Sequence, residues 1–410
     1  MRVRAVILAG LMAVATPAAA QDPSFEDWIK SFRSEASAAG IRKEVLDSAL
    51  SDIRINPRVF ELNDNQPEFA RNVWDYLDSA LSENRVGAGR AKLAEHRALL
   101  AEIEADYGVA AETIAAIWGQ ESSYGAVMGD YDVIEALATL GWKGRRTAYG
   151  RAQLIGALKI LQNNYADRKQ LRGSWAGAMG HTQFIPTTYL TFAVDRDRDG
   201  RRDLWTNLGD VFASTANYLA HSGYRSGQPW GVEVMLPQGF DYALADVDIK
   251  RALAEWRSAG IAAARGDLGE MDPNMRGRVF LPAGARGPAF IVFQNFDAIL
   301  KYNNSTAYGL AIAMLGDRID GRNEGLVAGW PREDRALTLS ERKALQQALK
   351  DRGFDPGPID GVLGAGSKKA LRAWQRSQGL PADAYASAST LEKLTGGSAT
   401  GATGDGSATN

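Results

Sequence analysis

Apolar residues recur at three- and four-residue spacing through most of the chain up to about Leu315, and this period predicts helices over 25–39, 89–106, 111–120, 152–163 and 210–222. The period breaks at 279–281 and at 289–294 (AFIVFQ), two short apolar runs flanked by Gly and Pro that predict strands. A composition shift at Gly329-Trp330-Pro331 is followed by a new unit from Leu337. Residues 395–410 are nearly all Gly, Ser, Thr and Ala, with too few core formers to fold, so they read as a disordered tail. The expected fold class is mainly α with a small β element, followed by a separate helical unit.

The first twenty residues have the three parts of an export signal. Arg2 and Arg4 supply charge, 5–15 is apolar, and Ala18-Ala19-Ala20 offers a cleavage site before Gln21. That apolar run is too short for a bilayer span, which needs about 20 residues. The chain has no cysteine, hence neither a disulfide nor a thiol for lipidation. These features lead us to expect a soluble periplasmic protein without a membrane anchor. The formal charge of −2 becomes about −4 once Arg2 and Arg4 leave with the signal, so no basic field draws it to nucleic acid.

Candidate chemistry lies in Ile114-Ala-Ala-Ile117-Trp118-Gly-Gln-Glu121-Ser122-Ser123-Tyr124-Gly125. Ile114, Ile117 and Trp118 sit seven, four and three residues before Glu121, so on a helix its carboxylate points where the apolar stripe points. Between Arg97 and Lys143 there is no Lys or Arg. A carboxyl on an apolar face with no cation beside it has its pKa raised, as a proton donor to a glycosidic oxygen requires. Periodicity alone leaves an ordinary helix-terminal glutamate equally open. A second block, running from Gly173-Ser174-Trp175 through Gly177-Ala178-Met179-Gly180-His181-Thr182-Gln183-Phe184-Ile185-Pro186 to Tyr189, is rich in small residues that permit close backbone approach. Ser174 and Gln183 can hydrogen-bond sugar hydroxyls and acetamido groups.

Both blocks, with Val127-Met128-Gly129, Ala136 to Leu140, Arg145-Arg146, Tyr149, Asn217-Tyr218 and Tyr302 to Tyr308, resemble the membrane-bound lytic transglycosylase B family of murein-cleaving enzymes. The resemblance covers about 25–315 and implies a lysozyme-like fold. It implies Glu121 as the catalytic acid, with Ser174, Gln183, Tyr149, Tyr218, Tyr302 and Tyr308 lining a saccharide cleft. The reaction it implies cleaves the β-1,4 bond between N-acetylmuramic acid and N-acetylglucosamine and closes a 1,6-anhydro ring on the muramyl end, with Glu121 acting as acid and then as base. None of the matched cleft residues is a second carboxylate, so the usual glycosidase pair is incomplete. A hydrolytic muramidase and a non-catalytic wall-binding scaffold remain the alternatives, because spacing does not separate ring closure from attack by water.

Asp195, Asp197, Asp199 and Asp203 occupy positions one, three, five and nine of a calcium-loop pattern, with Gly200 at six and Arg201 at seven, where a backbone carbonyl serves. Thr206 stands where a bidentate Glu is expected, which weakens the site. The family carries such a cation site, so structural Ca2+ is the one metal expected, and no cofactor is required for the reaction. With no cysteine, no HExxH pattern, and His96, His181 and His221 far apart, thiol and zinc peptidase chemistries are excluded or unsupported.

Residues 337–394 contain a half-repeat. Leu345-Gln346, Gly353-Phe354, Asp360-Gly361 and Ser367 answer to Trp374-Gln375, Gly379-Leu380, Asp383 and Ser389-Thr390. This resembles the three-helix peptidoglycan-binding domain of wall hydrolases, with Asp383-Ala384-Tyr385 departing from the usual Asp-Gly. The expected organisation is a signal peptide (1–20), a catalytic domain (21–332), a peptidoglycan-binding domain (337–394) and a tail (395–410). Peptidoglycan glycan strands are the expected partner.

Overall fold

The computed structural model describes residues 23–64, 71–322 and 325–396. The signal expected over 1–20 lies outside them, and of the tail expected over 395–410 only Thr395 and Gly396 lie inside. Within the described residues the first ten helices are α1 (Phe25–Ala38), α2 (Lys43–Leu50), α3 (Pro57–Asp64), α4 (Val73–Ala80), α5 (Glu83–Glu95), α6 (Arg97–Tyr107), α7 (Ala111–Ser122), α8 (Val133–Trp142), α9 (Thr147–Gln162) and α10 (Pro186–Phe192). Then come α11 (Leu208–His221), α12 (Leu253–Ser258), α13 (Gln294–Tyr302) and α14 (Thr306–Ile319). A last group is α15 (Leu339–Asp351), α16 (Ala365–Ser377) and α17 (Ala388–Thr395). Strands β1 (Tyr131–Asp132) and β2 (Arg172–Gly173) form an antiparallel pair. Strands β3 (Gly231–Met235), β4 (Arg251–Ala252), β5 (Ala262–Ala263), β6 (Arg276–Phe280) and β7 (Ala289–Val292) form one sheet in the order β4-β6-β7-β3-β5.

Helix α1 illustrates how sequence sets the body. Ser24 caps it by accepting the Asp27 amide at 3.1 Å, and Trp28, Phe32 and Ala36, at four-residue spacing, are buried. Helix α7 is buried on nearly every side from Thr113 to Gly119, which makes it the central helix of the main core. The helix expected over 89–106 is divided at His96, whose φ of −108° interrupts the helix and turns the imidazole onto Trp118 and Phe212, with ring centroids at 5.7 and 5.9 Å.

Along the chain the five strands of this sheet come between α11 and α13. Its strand β7 explains why the AFIVF run is apolar without alternation. Phe290 and Val292 face the helical core, while Ala289, Ile291 and Phe293 enter a second core with Val234, Leu253, Trp256 and Val279. Both faces are covered, and full burial of Ile291 alone contributes about 2 kcal/mol. Gln294 starts α13 instead of ending the strand.

Helices α15 to α17 enclose a third core of Leu345, Leu349, Leu371, Trp374 and Leu394. The half-repeat is real at atomic level. Gly361 donates its amide to Gln346 Oε1 (2.7 Å), and Ala384 donates its amide to Gln375 Oε1 (2.8 Å). Ala384 holds φ +57° where Gly361 holds +82°, so the departure from Asp-Gly keeps the turn at the cost of left-handed strain. Asp383 also accepts the Ala285 amide at 2.7 Å, which joins this unit to the sheet region.

Candidate active site

Glu121 is half-buried on the last turn of α7. The helix is stopped abruptly, because Ser123, Tyr124 and Gly125 all take positive φ (51°, 60° and 87°). Such strain in non-glycine residues costs about 1–3 kcal/mol each and persists where surroundings over-determine it. Here Ser122 Oγ accepts the Gly125 amide at 2.9 Å, and the Tyr124 hydroxyl donates to the Arg85 carbonyl at 2.9 Å. Tyr308, buried in α14, donates its hydroxyl to Glu121 Oε1 at 2.6 Å. That separation is short for an O–H···O bond and suits a carboxylate acceptor. Burial first, and then the Glu121 charge, push the Tyr308 phenol well above its ordinary range, so it stays a donor.

Tyr302 lies against the same charge and is likewise pushed up, burial being the first cause. It donates to the Thr182 carbonyl at 2.5 Å, and its ring meets that of Tyr218 edge-on at 5.1 Å. Tyr218 in turn donates to the Lys301 carbonyl at 2.5 Å, and both rings pack on Phe184. Tyr149 donates to the Ala176 carbonyl at 2.8 Å, with the Arg146 guanidinium 4.4 Å from its ring centre. Three of the four expected tyrosines therefore commit their hydroxyl protons to main-chain carbonyls, and Tyr308 gives its own to the acid.

The small-residue block folds as a tight loop. Gly173 has no room for a side chain, since a Cβ there would lie 2.0 Å from the Ala178 carbonyl oxygen. Ser174 accepts the Ala178 amide at 3.0 Å, leaving its hydroxyl proton for another acceptor. Gln183, at φ +53°, donates to the carbonyls of Met128 (3.0 Å) and Gly180 (2.8 Å). Its amide nitrogen thus ties the loop to the segment beyond Glu121. The structure joins Glu121, Tyr308, Tyr302 and Tyr218 in one cluster, with Gln183 next to Thr182. It links Ser174 and Tyr149 to that cluster through the loop.

Sequence reasoning assigned no part to two further residues near the end of α7. Gln120, beside the acid, accepts from Arg85 and donates to the Tyr76 hydroxyl at 2.7 Å, so a cation from α5 does approach the end of α7. The missed histidine is His181: its Nδ1 accepts from Trp118 Nε1 at 2.9 Å, and its Nε2 lies 3.1 Å from the Trp205 carbonyl.

The acidic loop is only partly as expected. Oxygens of Asp195 and Asp197 converge with one from Asp210 within 4.8 Å. Asp199 and Asp203 are not in that cluster. Asp199 accepts the Arg201 amide at 2.8 Å, while Asp203 accepts the Trp205 (2.8 Å) and Thr206 (2.9 Å) amides, and the Arg201 guanidinium goes to Gln170 at 3.2 Å. Asp210 escaped notice because the loop is four residues longer than the standard twelve-residue pattern. It is fully buried, and its pKa is pushed up to about 6, by burial first and by the charges of Asp197 and Asp195, against the amides of Arg196 and Asp203 that favour the anion. Hard oxygen donors of like charge converging on one point fit calcium.

The chain matches the model for the transglycosylase SLT domain over residues 24–317 and that for a putative peptidoglycan binding domain over 338–394. It is 30% identical over 295 residues to the membrane-bound lytic murein transglycosylase B of Escherichia coli (strain K12), covering 68% of this chain and 79% of that protein. It is similar to the crystal structure of SltB3 from Pseudomonas aeruginosa in complex with NAG-anhNAM-pentapeptide, with 49% identity, a TM-score of 0.88, and coverage of 91% of this chain and 99% of the other. The Escherichia coli lytic transglycosylase Slt35 in complex with calcium gives 28% identity, a TM-score of 0.61, and coverage of 74% and 94%.

Proposed function

The chain belongs to the transglycosylase SLT domain family and is a peptidoglycan lytic transglycosylase, and from that premise we propose that Glu121 serves as its single acid and then its base. One observation carries the assignment: the Tyr308 hydroxyl on Glu121 Oε1 at 2.6 Å, at the abrupt end of α7. The other cleft residues assigned, Ser174, Gln183, Tyr149, Tyr218, Tyr302 and Tyr308, include no carboxylate. Glu121 gives its proton to the leaving glycosidic oxygen as that bond breaks, and the 2-acetamido group of the muramyl residue stabilises the cationic carbon. The carboxylate, with Tyr308 holding one oxygen, then takes the proton of the 6-hydroxyl as that oxygen closes the anhydro ring. Overall one C–O bond breaks, one forms, and Glu121 ends protonated as it began.

The domain assignment follows the same reading: 21–332 for catalysis and 337–394 for holding peptidoglycan, supported by separate cores. The substrate and the signal pattern over 1–20 support a periplasmic location, and no helix among the described residues is long and apolar enough to cross a membrane. The reaction needs no cofactor. Calcium, bound by Asp195, Asp197 and Asp210, would neutralise those charges and fix the loop that leads into α11; the calcium complex of Slt35 supports this choice of ion.

Glu121→Gln tests the assignment. Release of soluble muropeptides from sacculi falls by about 10²-fold or more, the usual consequence of losing a general acid, while co-sedimentation with sacculi persists. Release at a tenth of the native rate or faster contradicts it.

A further inference from the structure

We propose that His181 is a positioning residue for the Glu121 carboxylate, acting as a strut between the Trp118 indole and the backbone turn at Gly125. The proposal rests on the assignment of Glu121 as the acid. An indole N–H only donates, so the 2.9 Å contact from Trp118 Nε1 requires a lone pair on His181 Nδ1. A backbone carbonyl only accepts, so Nε2, 3.1 Å from the Trp205 oxygen, carries the ring proton. The ring is therefore neutral and in one tautomer, and burial, which pushes its pKa down, acts in the same sense. Both nitrogens are engaged, so His181 is not a second proton-transfer group.

The ring grips the chain on both sides of the acid. Trp118 lies three residues before Glu121 and is 2% exposed, its ring packed edge-on against Tyr124 at 5.6 Å and Phe212 at 5.0 Å. Gly125 lies four residues after Glu121, and a Cβ placed there would sit 2.3 Å from His181 Cε1, so the imidazole is seated directly on the backbone of the turn. The His181 amide donates to the Leu204 carbonyl at 2.9 Å, which anchors the strut in the later part of the acidic loop. The strained stretch from Ser123 to Gly125 is thus held at Gly125 by this ring, and the chain three residues further on is held at Met128 by Gln183. A catalytic carboxylate must be held within about 0.5 Å of its productive place, and this strut acts through the two residues that bracket it.

Three variants test it, each with folding checked by circular dichroism and thermal melting: His181→Phe, which fills the space but accepts no hydrogen bond; His181→Asn, whose Oδ1 can replace Nδ1 as acceptor; and Glu121→Gln as reference. On soluble glycan fragments, His181→Phe is expected to lower kcat about tenfold with KM within twofold, and His181→Asn to recover kcat to within about threefold of native. In a 1H–15N spectrum the Trp118 indole signal, assigned with Trp118→Phe, moves from its hydrogen-bonded position in His181→Phe and stays near it in His181→Asn. Should His181→Phe not fold, Trp118→Phe reads the same bond and is expected to lose kcat with KM kept. Native kcat in the Phe variant, a loss borne by KM alone, or equal impairment of the Phe and Asn variants overturns the strut while leaving Glu121 in place. An active Glu121→Gln would instead remove the assignment on which the strut depends.

Discussion

At the end of α7 a single carboxylate, Glu121, receives a phenol hydrogen bond at 2.6 Å, whereas at the start of α11 the carboxylates of Asp195, Asp197 and Asp210 converge within 4.8 Å. Both places lie at helix ends and both draw on strained turns, with Ser123 and Tyr124 left-handed at one and Arg198 at the other. They differ in what compensates the negative charge. At Glu121 a neutral O–H donor stabilises the anion and still allows it to take up a proton. At the acidic loop the neighbours are other carboxylates, so the cluster must hold either a proton or a cation. The first arrangement suits proton exchange with a substrate; the second suits retention of an ion.

The contrast can be broken at Tyr308. Tyr308→Phe keeps the ring in α14 and removes the donor, and it is expected to lower kcat about tenfold and the melting temperature by a few degrees, since a hydrogen bond to a charged group contributes about 1.5–3 kcal/mol to stability. Native kcat in that variant would leave Glu121 without the partner that distinguishes it from the acidic loop.

A smaller effect sharpens the other side. Asp210 titrates near 6 when folded and near 3.9 when unfolded. Below about 4 both forms are protonated and the native state keeps its full advantage. Between about 4 and 6 the folded protein holds a proton that the unfolded chain has lost, so without calcium, stability falls as pH rises, by about 3 kcal/mol. Urea unfolding in chelator across that range measures the slope, and Asp210→Asn flattens it. A slope unchanged in Asp210→Asn contradicts the assignment. The smallest effect is the response to metal: millimolar calcium raises the melting temperature of the native protein by a few degrees, and Asp197→Ala combined with Asp210→Asn abolishes the rise. Equal shifts in native and variant proteins would place the ion elsewhere.

The sequence was informative where one element decides the outcome. The apolar spacing before Glu121 located α7 within two residues, and the AFIVF run marked β7, the strand covered on both faces. It was silent where two distant segments meet. Tyr308 and Glu121 are 187 positions apart, so their hydrogen bond was beyond any spacing argument and only the family resemblance named both residues. The break at His96 arises from aromatic packing on Trp118 and Phe212, which helix periodicity does not register. Strand β3 lacks a run of apolar residues, because Glu233 in its middle is used to accept the amides of Val327 and Ala328. Asp210 was hidden by a longer loop, and His181 by a motif position that carries no expected residue.

The central claim is that one carboxylate suffices because the sugar's own 6-hydroxyl, and not water, attacks the anomeric carbon. Digestion of purified sacculi in 18O-labelled water, followed by mass spectrometry of the released muropeptides, tests it most directly. The account predicts 1,6-anhydromuramyl ends, lighter by one water than reducing ends and free of the label. Products dominated by reducing muramic acid carrying 18O would contradict it and identify water as the nucleophile.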